Sequence, residues 1–336
     1  MTTERLQLLE DWIKTIFPGK SFDLSPASAD ASFRRYFRIT MEEQSIIAMD
    51  APPQLENCVP FLHAAEVFSS ANVHVPAILA KNLIQGFLLL SDLGSTTYLQ
   101  TLAANPATAD KLYGDAIDAL IRIQLISQTD VFPEYDAALL GRELDLFPEW
   151  YIARHLQVTL DQKQHDNLTA VFSCILENNL AQLKVFVHRD YHSRNLMMTI
   201  PNPGIIDFQD AVYGPITYDL VSLFKDAYIH WEEERILDWV IRYWEKARKA
   251  GLLVTTDFSD FYRDFEWMGV QRHLKVLGIF ARLYHRDHKD AYLKNMPLVM
   301  TYLRKACERY RELQPLLTLL DQLEGNQSAT RIGYTF

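Results

Sequence analysis

The chain has 336 residues, of which 49% are hydrophobic and 23% charged, enough apolar material for about two packed domains and too little charge for a disordered chain. Its 43 acidic and 33 basic residues leave a net charge of −10, which excludes a broad basic footprint for nucleic acid or anionic lipid while leaving room for a local phosphate pocket. Cys58, Cys174 and Cys307 stand far apart without CxxC spacing, so neither a disulfide framework nor a zinc site is expected. Every apolar run falls short of the ~18 residues of a membrane span, and the first seventeen residues mix charges into an amphipathic helix rather than a secretory signal. A cytoplasmic protein with no nucleic-acid, membrane or obligate protein partner is expected.

In chain order, the N-terminal helix stops at Phe17-Pro18-Gly19. Two strand-like runs follow, Ser32 to Thr40 and Ser45 to Met49, joined as a hairpin by Glu42-Glu43-Gln44 and ended by Pro52-Pro53. Val59 to Ser70 carries helical spacing, and Val73 to Leu79 and Gly86 to Leu90 read as extended. From Asp110 the pattern turns helical, with Leu112, Ala116, Ile117, Leu120, Ile123 and Ile126 on one face. Further helices are predicted over 143–155, 162–180, 232–250, 260–284 and 298–323. One strand-rich island, Lys184 to Phe208, interrupts them with Val185-Phe186-Val187 and Gly204-Ile205-Ile206.

Each apolar triplet of the island delivers polar residues at its end: His188-Arg189-Asp190-Tyr191-His192-Ser193-Arg194-Asn195 after the first, Asp207-Phe208-Gln209-Asp210 after the second. An Asp, an Asn five residues later and an Asp ending the next strand are what magnesium-dependent phosphoryl transfer requires. Asp190 would receive or orient the acceptor hydroxyl. Asn195 and Asp207 would hold Mg²⁺ against the phosphates of ATP, as hard oxygen ligands that leave the ion several waters.

These residues resemble the catalytic loop and metal-binding segment of protein kinases, with Gln209 where glycine would stand. They are more similar to the aminoglycoside phosphotransferase superfamily, whose H-x-D-x-H-x-x-N loop is matched by His188, Asp190, His192 and Asn195. Gly214-Pro215-Ile216-Thr217-Tyr218-Asp219-Leu220 resembles a second signature of that superfamily. The resemblance implies an α+β, bilobal protein-kinase-like fold, with a small strand-rich N-lobe over 1–92 and a larger, mainly helical C-lobe over 93–336. It implies structural roles for His188 and Asp219, and contact of Asp210 with substrate or metal. In Gly86 to Gly94 it implies an interlobe hinge, with Leu90, Asp92 and Leu93 at the adenine. Asp92 is alternatively a helix N-cap.

Two departures from the kinase pattern stand out. The phosphate-covering hairpin, Asp30 to Arg38, has no glycine, so nucleotide binding falls to Ser32, Phe33, Arg34 and Arg35, unless this is a solvated strand edge. The strand Ile46 to Asp50 lacks the phosphate-pairing lysine: either an arginine of the hairpin substitutes for it or the site runs without that ion pair, which leaves the role of Glu66, the candidate helix carboxylate, open. A protein kinase is disfavoured because only six residues separate Asp207 from Gly214, too few for an activation segment.

Four stretches are similar to one subgroup, bacterial kinases that phosphorylate the anomeric hydroxyl of N-acetylmuramate and N-acetylglucosamine in cell-wall recycling. They are Asp30 to Phe37, Met49 to Pro53, His188 to Asn195 and Gln271 to Leu283. The substrate would then be an amino sugar, met by Arg194, Asp210, Gln271, Lys275 and Arg282. At about 100° per residue the last three form one polar stripe, which either faces ligand or is an exposed face of a buried helix. Trp150, Tyr151, Trp231 and Trp267 are candidate sugar-stacking residues or core. The alternatives are a kinase of another small alcohol (an aminoglycoside, choline, homoserine or another sugar) and an inactive kinase-like ATP-binding module.

Overall fold

The computed structural model describes residues 3–29, 33–42 and 44–332. Helix α1 (Thr3–Ile16) places Leu9 and Ile13 one turn apart, and both are buried against the sheet that follows. That sheet is antiparallel throughout, in the order β1-β2-β3-β5-β4, and comprises β1 (Asp23–Ala29), β2 (Arg35–Met41), β3 (Gln44–Asp50), β4 (Ile78–Asn82) and β5 (Phe87–Ser91). Alternation sets its faces: Phe37, Ile39 and Met41 of β2 turn inward beneath α1 while their neighbours face away. The hairpin closes with Met41 opposite Gln44. Strand β1 carries no apolar signal, and its Pro26 is tolerated because β1 lies at the sheet edge, beside a register shift between Pro26 and Ser28.

Helix α2 (Val59–Ser70) buries Phe61, Ala64, Ala65 and Phe68. Helices α3 (Tyr98–Ala104) and α4 (Ala109–Leu125) follow, the first capped by Thr97 and Gln100 in a reciprocal capping box. Helix α5 (Ala137–Leu146) runs on into a π-helical stretch, Phe147–His155, where Pro148 withholds the N–H that an α-helical ladder would need. Then come α6 (Gln162–Ala181), β6 (Lys184–Val187), the short pair β7 (Leu196–Met197) and β8 (Gly204–Ile205), β9 (Val212–Pro215) and α7 (Tyr218–Phe224). The remainder is helical: α8 (Glu233–Ala250), α9 (Phe258–His285), α10 (Met296–Arg309) and α11 (Gln314–Ile332). The single helix expected over 298–323 is thus two helices. The run breaks at Tyr310, which is extended (φ −113°, ψ +125°), and restarts at Gln314-Pro315, where proline sits in the first turn of α11 and its missing N–H costs no helical hydrogen bond.

By packing, the chain divides into Met1–Arg122 with Arg194–Asp210, and Ile123–Ser193 with Ala211–Phe336. The first unit holds the five-stranded sheet and, as a separate two-stranded sheet, the β7–β8 hairpin. Phe208, just past β8, stacks on Phe61 of α2 at 4.9 Å and meets Phe68 edge-on at 5.9 Å. The second unit is built around the 28-residue α9, which sends Trp267, Val270, Leu274, Leu277, Phe280 and Ala281 into one large apolar core. Gly278 is required there: a Cβ would come within 2.5 Å of the Leu146 carbonyl, so only glycine lets α9 pass the end of α5. Strand β6, buried over Val185-Phe186-Val187, pairs antiparallel with β9. Among the described residues no helix is long and apolar enough to cross a membrane.

Candidate active site

In the second unit, β6 ends where the polar run begins. Asp219, fully buried in the first turn of α7, accepts the backbone N–H of His188 at 2.7 Å and of Arg189 at 3.0 Å, one on each carboxylate oxygen. Burial pushes its carboxyl up to about 7 against those two hydrogen bonds. The brace holds Arg189 at φ +76°, a left-handed conformation that costs a side-chain-bearing residue energy and persists only when neighbours enforce it. Asp190 N–H donates to His188 Nδ1 at 3.2 Å, so the buried His188 ring lies inside the turn. At the loop's far end, buried Asp226 accepts both the N–H and the hydroxyl of Ser193, and on its other oxygen the N–H of Tyr228 at 3.0 Å. Asp226 carries no motif signal and escaped the sequence reading.

Asp190 itself is 43% exposed, the accessible carboxylate of this loop. Partial desolvation favours its neutral form, but the charges of Arg272, Lys275, His192 and Arg189 outweigh that and hold it well below the usual carboxylate range. Arg272 of α9 lies 3.7 Å from Asp190 and donates to Arg189 O at 2.9 Å and Tyr218 OH at 3.1 Å. Arg272 too was missed, since it lies one residue off the polar stripe read along α9.

Behind this loop sits a buried charge cluster. Glu143 of α5 pairs with Arg189 and, at 2.8 Å, with Lys275, and it accepts from Tyr135 OH and from Gln271 Nε2 at 3.2 Å. Burial opposes its ionisation, yet Lys275 and Arg189 bring its carboxyl down to about 2. The expected Gln271–Lys275–Arg282 stripe therefore splits. Gln271 and Lys275 are buried on Glu143, while Arg282 lies at the end of α9, where burial and Arg286 depress its pKa. Of the stacking candidates, Trp231 and Trp267 are buried as core and Trp150 and Tyr151 are partly buried beside it.

In the first unit, the β7–β8 hairpin brings Asn195 and Asp207 together. Ile206 N–H donates to Asn195 O at 3.1 Å, and Asn195 Nδ2 donates to Asp207 Oδ2 at 3.1 Å. Asp207 sits at φ +66°, and its other oxygen accepts from Gln209 Nε2 at 2.9 Å. Arg194 and Asp210 are exposed. One carboxamide oxygen and one carboxylate, both partly exposed, form a sparse hard-oxygen set that suits magnesium, which keeps waters and takes further oxygens from phosphates. Among the described residues no group of three or more His, Cys, Asp or Glu makes a fuller metal cage.

The same unit sorts the arginines of β2 and its approach. Arg35 donates through Nε to buried Asp50 at 3.1 Å, whose other oxygen takes Arg5 at 2.7 Å. Arg38 grips Asp92 with Nε at 2.6 Å and Nη2 at 3.1 Å, and Ser45 also donates to Asp92. Asp92 caps Gly94 N–H at 2.8 Å, whereas the helix after it is capped by Thr97. Arg34 pairs with Glu56 at 3.1 Å. Burial works against its charge, and Tyr36, Glu56, Asp210 and Asp207 more than restore it. Phe33 is exposed, Leu90 and Leu93 are buried, and Ser32 lies outside the described residues. Glu66 is exposed on α2.

This architecture is the protein-kinase-like fold of small-molecule phosphotransferases. It superposes at a TM-score of 0.64 on choline kinase LicA from Streptococcus pneumoniae (10% identity, 90% of this chain and 100% of that one). With the ADP-bound aminoglycoside phosphotransferase APH(2'')-Ib the TM-score is 0.59, at 15% identity over 90% of this chain and 98% of the other. A model of the phosphotransferase enzyme family matches residues 23–253, and the chain belongs to that family. The N-acetylmuramate/N-acetylglucosamine kinase of Neisseria meningitidis is 50% identical over 98% of this chain and 98% of its own length. Its namesake in Pseudomonas aeruginosa is 48% identical over 95% and 97%, and that of Caulobacter vibrioides 30% over 82% and 85%.

Proposed function

We propose that the protein transfers the γ-phosphoryl group of ATP to the anomeric C1 hydroxyl of N-acetylmuramate and N-acetylglucosamine, as a cytoplasmic step in recovering cell-wall sugars. The observation that carries this is the near-full-length identity of about half to kinases of that name. Asp190 acts as the base. A hemiacetal hydroxyl is more acidic than an ordinary sugar alcohol, so a carboxylate held firmly ionised is strong enough to orient it and accept its proton late. Asn195 and Asp207 would hold Mg²⁺, which supplies charge neutralisation at the phosphates.

The nucleotide would run from the hinge at Leu90, Asp92 and Leu93 to the turn at Ser32 to Arg35. In this reading Asp92, tied to Arg38, contributes through the shape of its backbone. Residues 1–92 would serve as the covering lobe and 93–336 as the catalytic one. Arg194 and Asp210, both exposed, are proposed for sugar hydroxyls, and Arg282, beside Arg286, for the lactate carboxylate. Gln271 and Lys275 support the catalytic loop through Glu143. A panel of N-acetylmuramate, N-acetylglucosamine, their methyl glycosides, choline and an aminoglycoside, read as ADP formed, tests the assignment. Turnover of both free sugars and of neither glycoside is expected, and turnover confined to choline or the aminoglycoside would replace the reading.

A further inference from the structure

We propose that Arg34 and Glu56 form a relocated phosphate-binding ion pair, in which Arg34 contacts the nucleotide phosphates and Glu56 positions it. This deepens the phosphoryl-transfer reading and rests on it. The problem it answers is the missing cation of β3, which contains no lysine between Gln44 and Asp50. Nor does α2 offer the usual carboxylate, since Glu66 is exposed.

Three arginines lie on β2 and the residue before it, and Arg35 and Arg38 hold the sheet. Arg35 neutralises Asp50, which is 0% exposed, with help from Arg5. Arg38 is locked in a two-pronged grip on Asp92. Arg34 is differently placed. Its side chain is 10% exposed and its partner Glu56 12%, whereas the surface pair Lys14–Asp11 is 56% and 58% exposed. A pair this desolvated is geometrically defined, unlike a mobile surface pair.

Glu56 does two things at once. One oxygen takes Arg34 Nη2 at 3.1 Å, and the other accepts the Phe33 backbone N–H at 3.1 Å. A single carboxylate thus fixes both the backbone of the covering turn and the side chain that leaves it. A guanidinium is a planar fork of N–H donors with a permanent charge, the residue type best matched to both carboxylate and phosphate oxygens. Asp207 and Asp210 both act on the charge of Arg34, which puts the cation in the field of the carboxylate assigned to the metal, Asp207, and of the one assigned to the sugar, Asp210. Without glycines to let the backbone wrap phosphate, a rigidly held arginine is the replacement the turn offers.

The test is equilibrium titration of the intact protein, without sugar, with Mg·ATP, ADP and adenosine. Arg34→Ala should weaken ATP and ADP by about tenfold or more, the loss expected for one charge-assisted contact, and leave adenosine within about twofold. Arg34→Lys should recover part of that loss. Glu56→Gln, which keeps an oxygen for Phe33 N–H, should weaken ATP several-fold without affecting adenosine, and the double variant should bind ATP no worse than Arg34→Ala alone. Wild-type ATP affinity in Arg34→Ala, or parallel loss of ATP and adenosine alongside a lowered Tm, would reduce the pair to a structural tie. Additive losses in the double variant would remove Glu56 as the positioning residue. Because no sugar enters the titration, failure here leaves the amino-sugar assignment standing, and a wrong sugar leaves this pair standing.

Discussion

The carboxylates around the loop after β6 fall into two kinds, one open to solvent and two buried. Asp190 is accessible and surrounded by cations, while Asp219 and Asp226 are buried and satisfied by backbone N–H groups. Asp190→Asn should therefore fold normally and bind nucleotide, with turnover reduced by roughly 10²–10⁴-fold, the span for loss of a general base; near-wild-type steady-state turnover would remove it from the mechanism. Asp207→Ala should impair Mg²⁺-dependent ATP binding more than Asn195→Ala, because it removes a full charge rather than a dipole; titrating Mg·ATP into each variant decides it. Arg282→Ala should raise KM for N-acetylmuramate more than for N-acetylglucosamine, since only the former carries a carboxylate, and equal effects would detach Arg282 from the lactate group. The loop residues were readable because phosphoryl transfer constrains their order and spacing. Arg272 and Asp226 were not readable, since residues that contact the loop from distant segments leave no local pattern.

At the scale of elements, the catalytic loop is held from behind by helices. Asp219 reaches it from α7, and Glu143 of α5 joins Arg189 in the loop to Lys275 on α9. Helical periodicity correctly indicated α9 but cannot say which way a polar face turns, so a stripe of Gln271, Lys275 and Arg282 read as one surface. Two of these residues in fact satisfy a buried carboxylate that the same pattern could not reveal. The consequence for stability has a definite sign. The Glu143 carboxyl is depressed from 4.5 to about 2 on folding, so its contribution is fully present above about pH 4.5 and is lost as pH falls through about 2. Glu143→Gln leaves Lys275 and Arg189 without their buried counter-charge, and should destabilise the protein at pH 7 by about 3–5 kcal/mol. Urea denaturation at pH 7 and pH 3 should show the gap between wild type and variant narrowing at the lower pH. A constant gap would mean that Glu143 does not titrate with folding.

Across the whole molecule, the class of fold was legible because strand alternation, helical periodicity and the island between them occur in the order a kinase-like chain requires. The limits were local. Strand β1 is polar and contains proline, so it forms only because an edge position and the neighbouring β2 accept it. The π-helical stretch at Phe147–His155 traces to a proline inside an apolar pattern, and the break before α11 falls at extended Tyr310, where the apolar pattern reads as continuous. The substrate is the least local property of all: phosphoryl transfer is proposed from the order and spacing of three residues, whereas the sugar rests on likeness over nearly the whole chain. The most direct test is phosphorus NMR of the product formed from ATP and N-acetylmuramate. A sugar phosphate resonance coupled to the anomeric proton is expected, lost on mild acid treatment and absent when C1 is blocked as the methyl glycoside. A phosphate coupled to the C6 protons, or product formed equally from the glycoside, would contradict it.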